Sequence, residues 1–312
     1  MPLKSLPHLS LRDRASDPTG FANAMGDSYA RFGFAIVRDH GLDAAVIERA
    51  LSATKAFFAL PEAAKRRYHI PGGAGQRGYI PFGVEAAKGA DKVDLKEFWH
   101  VGRELAADHR FRPFMPDNIW PDEIPAFRQD VYALYDALDR LGAKLLESIA
   151  IYLGQDKDFF VEAVRDGNSV LRLLHYPPMP PNPEGIRAEA HEDINTITLL
   201  LGAEEAGLQL LTREGEWIDV APPEGALVVN MGDMLQRLTN HVLPSTTHRV
   251  RNPSAERAHL PRYSIPFFLH FAPDYLIKTL PSCVTPDNPD RYPTPITAQD
   301  FLMERLREIR LA

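Results

Sequence analysis

Apolar residues recur at spacings of three and four between about Ile124 and Leu153: Phe127, Val131, Leu134, Leu138, Leu141, Leu145 and Ile149. On a helix these positions fall along one face, so the pattern predicts a long amphipathic helix whose stripe lies against a sheet. Gly142, inside that stretch, would let the partner approach closely. Residues 20–70 read as helix, strand, helix. The compact apolar run from Phe32 to Val37 suits a buried strand, and Asp39 to Asp43 supplies a turn and an N-cap for a helix through Phe58. Residues 71–95 are rich in glycine and charge and are expected to form a mobile flap. Asp94–Val101 reads as an alternating strand, with Lys96, Phe98 and His100 on one side and Glu97, Trp99 and Val101 on the other.

Beyond Asn168 the pattern changes to short β-like runs separated by turn residues. These are Val170–Tyr176, Ile194–Leu201, Gly207–Thr212, Glu216–Val220, Ala226–Met231, Thr246–Val250 and Arg262–Phe271. Such close spacing predicts a sandwich or barrel, interrupted by an extended proline-rich loop at Pro177–Pro183. No repeat or low-complexity tract marks a linker. The expectation is a single domain over 1–312: a helix-rich part over 1–167, a β core over 168–280 and a helical tail over 281–312.

Composition narrows the functions open to this architecture. Asp and Glu number 42 against 35 Lys and Arg, a net charge of −7, which argues against nucleic acid as the main partner. Cys283 is the only cysteine, so intramolecular disulfides and Cys-ligated clusters are excluded and a reducing compartment is the natural reading. The first residues lack the apolar core of a secretory signal, and no run approaches the roughly 20 apolar residues of a membrane span. A cytoplasmic protein acting on a small molecule, with neither nucleic acid nor membrane as partner, is expected. The oligomeric state is left open.

The candidate chemistry lies in the β-rich half. His191-Glu192-Asp193 occurs where the proline-rich loop runs into the strand expected from Ile194. Residues two apart on an extended chain project to the same side, so His191 and Asp193 would converge while Glu192 points away. His248 could add a third ligand from another strand. Two histidines and one carboxylate on one face of a metal suit oxygen-activating non-haem iron(II). Alone, the triplet is equally compatible with a capped turn at a strand start. Arg262-Tyr263-Ser264 adds a guanidinium fork beside a hydroxyl, a pair suited to gripping a carboxylate, or an arginine in a structural ion pair. Arg14-Ala15-Ser16 repeats that triplet in an N-terminal loop, so order and context carry the weight.

In that order the sequence resembles the isopenicillin N synthase-like family of non-haem iron(II)/2-oxoglutarate-dependent dioxygenases. The matching segments are Leu171–Pro177, His191–Asn195, Gly207–Leu210, Val229–Leu235, His248–Val250 and Arg262–Phe268, with Gly33–Val37 and His40-Gly41 resembling the family's opening. The resemblance implies a mainly β fold, a double-stranded β-helix (jelly-roll) core with flanking helices. It implies Fe(II) held by His191, Asp193 and His248, the distal carboxylate of 2-oxoglutarate held by Arg262 and Ser264, and Tyr176 helping to place this cosubstrate. Many plant relatives carry asparagine where Leu174 stands, so polar contacts to the cosubstrate are expected to be fewer. The Asp94–Val101 strand and the segment around Tyr79 would line the mouth of the site, making Tyr79, Phe98 and His100 candidate substrate contacts. The implied activity consumes O2 and 2-oxoglutarate, yields succinate and CO2, and hydroxylates or otherwise oxidises a small molecule. Two alternatives stand beside it: an iron(II) oxidase of the same fold that uses O2 without 2-oxoglutarate, and a non-catalytic jelly-roll protein that binds a small acid. His241 is expected in a turn, His175 facing away from Tyr176, His270 in a structural role, and Asp233 as a structural or supporting carboxylate.

Overall fold

The computed structural model describes residues 5–85, 93–180, 183–201 and 207–308. Among these, two sheets are built from β1 (His8–Ser10), β2 (Phe34–Arg38), β3 (Gly78–Ile80), β4 (Glu97–Gly102), β5 (Val170–Tyr176), β6 (Ala188–His191), β7 (Ile197–Leu201), β8 (Leu208–Leu211), β9 (Trp217–Asp219), β10 (Leu227–Met231), β11 (His248–Val250) and β12 (Arg262–Leu269). The larger sheet runs β1-β2-β10-β7-β12-β5-β4-β3 and the smaller runs β6-β11-β8-β9. All pairings are antiparallel except β1 with β2. The fold is the expected jelly-roll with helices on its outer side.

Alternation along each strand sorts the larger sheet into two faces. Ile197, Leu199 and Leu201 of β7, Leu171 and Leu173 of β5 and Phe267 of β12 join the helices in one apolar core. The opposite face turns inward. Phe34, Ile36 and Val228 meet Ala188, Leu208, Leu210 and Val250 of the smaller sheet, closing one end of the space between the sheets. Toward the other end, Ile80, Phe98, Leu174 and Tyr176 form a smaller apolar cluster.

The long helix spans Phe127–Tyr152, and all seven residues of its predicted stripe are buried. Tyr135 meets the edge of Phe267 at 5.1 Å between ring centroids, and a Cβ on Gly142 would collide with Leu269 of β12. Glycine is therefore what lets the helix lie this close. Gly142→Val is expected to lower stability by about 1–3 kcal/mol through overpacking. Urea unfolding measures this, and an unchanged midpoint would mean that Leu269 turns aside without cost.

Helix Pro18–Phe32, β2 and helix Ala44–Phe58 follow the predicted order, and the Asp43 side chain accepts from the Ala45 N–H as the anticipated N-cap. Three local expectations are corrected. The strand expected from Ile194 begins at Ile197, and β6, which no apolar run announces, pairs with β11 ahead of it. Within the expected flap, Gly78–Ile80 forms β3 against β4; residues 86–92 lie outside the described residues. Among the described residues of the tail, the α-helix spans Ala298–Glu308, after a short 3-10 turn and a strand, Ile296–Thr297, paired with Leu276–Ile277. Among the described residues no helix is long and apolar enough to cross a membrane.

Candidate active site

Strand β11 sets His248 directly opposite His191, the last residue of β6, with the two rings 4.4 Å apart. The chain leaves β6 at Glu192, and Asp193 lies in the connection to β7. Its Oδ1 is 3.9 Å from His191 Nε2 and 3.7 Å from His248 Nε2. The convergence read from the sequence is present, but its cause differs. A cross-strand pair and a turn bring the three together, rather than alternation along one strand. Glu192 does point away, its carboxylate accepting from the Thr247 hydroxyl.

Each of the three groups has one side occupied and one side open. His191 Nδ1 lies 2.7 Å from the Glu189 carbonyl and His248 Nδ1 3.0 Å from the Thr246 carbonyl. A carbonyl only accepts, so the ring protons sit on Nδ1 and leave the Nε2 lone pairs available. Asp193 Oδ2 accepts from Thr198 Oγ1 at 2.5 Å and Asn230 Nδ2 at 2.8 Å, which leaves Oδ1. Thr198 and Asn230 are cross-strand neighbours on the inner face. Burial, and then the adjacent His248, pull the His191 pKa down to about 4. Burial alone would raise Asp193, but the two imidazoles and the two hydrogen bonds outweigh it and hold the carboxyl below its ordinary value. Two imidazole nitrogens and one carboxylate oxygen thus lie within 4.8 Å of one another. This donor set fits a divalent iron ion.

Farther along the inner face, Arg262 pairs across strands with Tyr176, and Ser264 with Leu174. All four are buried, and the Arg262 guanidinium lies 5.1 Å from the Tyr176 ring centroid. Sequence reasoning missed Arg187, which is fully buried with its guanidinium 5.8 Å from the same ring. Its position four residues before His191 was the available signal. Leu174 packs with Ile80, Phe98 and Tyr176, so an apolar contact stands where plant relatives carry asparagine.

On the substrate side the predicted alternation of β4 holds, with one correction. Phe98 and His100 face inward, but Tyr79 pairs with Trp99 and shares its outward direction. Tyr79 is fully buried against Phe57 and hydrogen bonds Glu97, so it cannot reach the inner face; Ile80 stands there beside Phe98. His100 Nδ1 meets the Gly75 carbonyl at 2.6 Å, and its Nε2 accepts from Arg172 Nε at 2.6 Å. Burial and the Arg172 charge hold its pKa well below the ordinary histidine value. Arg172 stacks on Phe98 at 4.1 Å and Phe268 at 5.2 Å and binds Glu85 through both terminal nitrogens at 3.2 Å. Lys96 bridges Glu85 at 2.7 Å and Asp94 at 2.6 Å. Burial penalises both charges, yet the pairing holds the Glu85 pKa down and the Lys96 pKa up.

Two further histidines, His241 and His175, lie as expected. His241 meets Tyr292 Oη at 2.6 Å, and His175, on the outward face, meets Glu97 Oε1 at 2.7 Å. His270 Nδ1 lies 3.1 Å from the Phe268 carbonyl, with a pKa drawn to about 4 by burial. Asp233 opens a short helix, its N–H bonded to the Asp193 carbonyl at 2.8 Å, and burial raises its carboxyl to about 6.

Residues 167–271 match the 2OG-Fe(II) oxygenase superfamily, and residues 3–123 match the non-haem dioxygenase in morphine synthesis N-terminal family. A 2-oxoglutarate-Fe(II) type oxidoreductase of Emericella nidulans is 35% identical over 283 residues, covering 86% of this chain and 79% of that protein. The chain belongs to the 2OG-Fe(II) oxygenase superfamily. Among solved structures, a 2OG-Fe(II) oxygenase family protein from Caulobacter crescentus is 60% identical to this oxygenase, with a TM-score of 0.92 over 97% of this chain and 99% of that one. A Neurospora crassa enzyme solved with alpha-KG (2-oxoglutarate) and thymine is 27% identical, with a TM-score of 0.86 over 98% of each chain. The protein is thus an Fe(II)/2-oxoglutarate-dependent dioxygenase, with O2 as its second cosubstrate.

Proposed function

We propose that His191, Asp193 and His248 hold Fe(II), that Arg262, Ser264 and Tyr176 hold 2-oxoglutarate, and that the enzyme hydroxylates or otherwise oxidises a small molecule between the two sheets. The observation that carries this is the one-sided hydrogen bonding of all three candidate ligands, which leaves Nε2, Nε2 and Oδ1 open toward one point. Bound Fe(II) and 2-oxoglutarate supply the oxidising chemistry, with succinate and CO2 as products. The chain supplies orientation and dryness. Thr198 and Asn230 fix the Asp193 carboxylate, the Glu189 and Thr246 carbonyls fix the imidazoles, and Arg262 offers a planar fork to the distal carboxylate. Leu174, Ile80 and Phe98 keep that end apolar, so the ionic grip on the cosubstrate is not weakened by water.

Phe98 and His100 remain candidate substrate contacts, joined by Arg172 and Phe268. The thymine complex of the Neurospora enzyme is in keeping with a small-molecule substrate. We read residues 1–312 as one oxygenase domain, since a single apolar core draws on residues from Phe21 to Phe301. A reducing cytoplasmic setting rests on the lone Cys283, and the acidic balance argues against a nucleic-acid partner. Counting succinate formed against O2 consumed tests the reaction. One succinate per O2 is expected, whereas O2 uptake that proceeds without 2-oxoglutarate would instead favour the oxidase alternative.

A further inference from the structure

The inner face of the larger sheet carries cations whose charges are already met. Lys96 is paired with Asp94 and Glu85, and Arg172 is paired with Glu85 and bonded to His100. Arg77 differs. It is 2% exposed, and no carboxylate among the described residues lies within ion-pair distance of it. Its Nη1 donates to the Gln76 carbonyl at 2.8 Å, while Nε and Nη2 are buried without a partner. Those two nitrogens share one edge of the planar guanidinium, the edge that grips a carboxylate through two parallel hydrogen bonds. Burial pulls the Arg77 pKa only to about 10, so the side chain is charged at neutral pH. An uncompensated buried charge with two idle donors is costly, and a ligand that met them would be bound strongly.

The position of this edge is defined by Gly102. A Cβ there would collide with the Arg77 guanidinium carbon, Nη2 and Nε, so only glycine leaves room for the guanidinium in this place. Gly102 follows Phe98 and His100 as the next inward position of β4. In the cross-strand registers, Gly102 pairs with Val170, Val170 with Phe268, Phe268 with Thr198 and Thr198 with Asn230. Thr198 and Asn230 are the residues that hold Asp193. Arg77 therefore stands over the same row as the candidate iron site, three strand spacings or roughly 14 Å along the sheet from Thr198. Arg262 stands at the opposite end of β12 from Phe268.

We propose that Arg77 is the anchor for the primary substrate, and that this substrate is a small organic acid whose carboxylate docks side-on against Nε and Nη2 over Gly102. The proposal rests on the reading of the inner face as the catalytic chamber. Phe268 stands on the row between Gly102 and Thr198 and suits an apolar or aromatic body. Two arginines then divide the acids between them, Arg262 taking the cosubstrate and Arg77 the substrate.

The test is an anaerobic titration of the Fe(II)-loaded full chain with 2-oxoglutarate bound, following the visible charge-transfer band that chelation produces in this family. Benzoate, phenylacetate and cyclohexanecarboxylate are each titrated against their primary amides. At least one acid is expected to perturb the band about 10- to 100-fold more tightly than its amide, the range for charge-assisted hydrogen bonds. Arg77→Gln should erase that preference, with the separate 2-oxoglutarate titration reporting that the fold and the Arg262 end are intact. Gly102→Ala, which crowds the edge and keeps the charge, should do the same and carries the test if Arg77→Gln does not fold. Acid and amide binding alike to wild type, or a preference that persists in these variants, overturns the proposal. If wild type fails to bind 2-oxoglutarate at all, the chamber reading itself fails and the proposal falls with it.

Discussion

Alanine in place of Asp193 or His248 is expected to abolish iron binding, where metal-free wild type regains one Fe(II) per chain. Three protein ligands hold little affinity once one is lost, and here each remaining ligand is already committed in orientation. Removing the Asp193 carboxylate also leaves the Thr198 hydroxyl and the Asn230 amide directed at nothing. Asn230→Ala, which keeps all three ligands but frees one side of the carboxylate, is expected to weaken iron binding by about 10- to 100-fold. His241→Ala should remain fully loaded, because His241 is turned to Tyr292. Metal analysis after dialysis against limiting Fe(II) decides the matter. Full occupancy in His248→Ala, with His241→Ala empty, would show that the wrong histidine was assigned.

The second large effect concerns Arg262→Lys. Lysine keeps the charge but loses the planar fork, and charge-assisted hydrogen bonds contribute roughly 1.5–3 kcal/mol. At about 1.4 kcal/mol per factor of ten, 2-oxoglutarate binding should weaken by about 10- to 100-fold. Iron should still bind, since the candidate ligands are untouched. Ser264→Ala should produce a milder loss of the same kind. Anaerobic titration of the Fe(II) protein, again read at the charge-transfer band, separates the outcomes. A band that forms normally in Arg262→Lys would transfer the carboxylate to another base, and Arg187, buried beside the same tyrosine ring, is the first to examine.

Several elements were legible because their signal is local. The 3.6-residue stripe marked the long helix, Asp43 marked a helix start, and alternation sorted Phe98 and His100 from Trp99 and Val101. Tyr79 was misplaced for an equally local reason. On a strand, one residue decides the face, and the register that pairs Tyr79 with Trp99 turns it outward and leaves Ile80 inward. Strand β6 was invisible because Ala188–His191 has no apolar alternation of its own and is held by its ladder with β11. The Glu85–Arg172 pair joins residues 87 positions apart, and nothing in either neighbourhood announces it.

By itself the sequence determined the covering helices, a β sandwich or barrel, and the residue types offered to a metal and to a carboxylate, in an order that resembles a family whose core is a jelly-roll. Those follow from periodicity and from ordered short motifs, which are properties of the chain. Only the tertiary structure decided which atoms remain available. Asp193 presents Oδ1 because Asn230 of β10 and Thr198 of β7 claim Oδ2, and Arg172 is neutralised by Glu85 from 87 positions away, whereas Arg77 is left without a carboxylate among the described residues. A hydrogen bond is a claim on one atom at about 3 Å, and residue identity alone does not say which atom will be claimed.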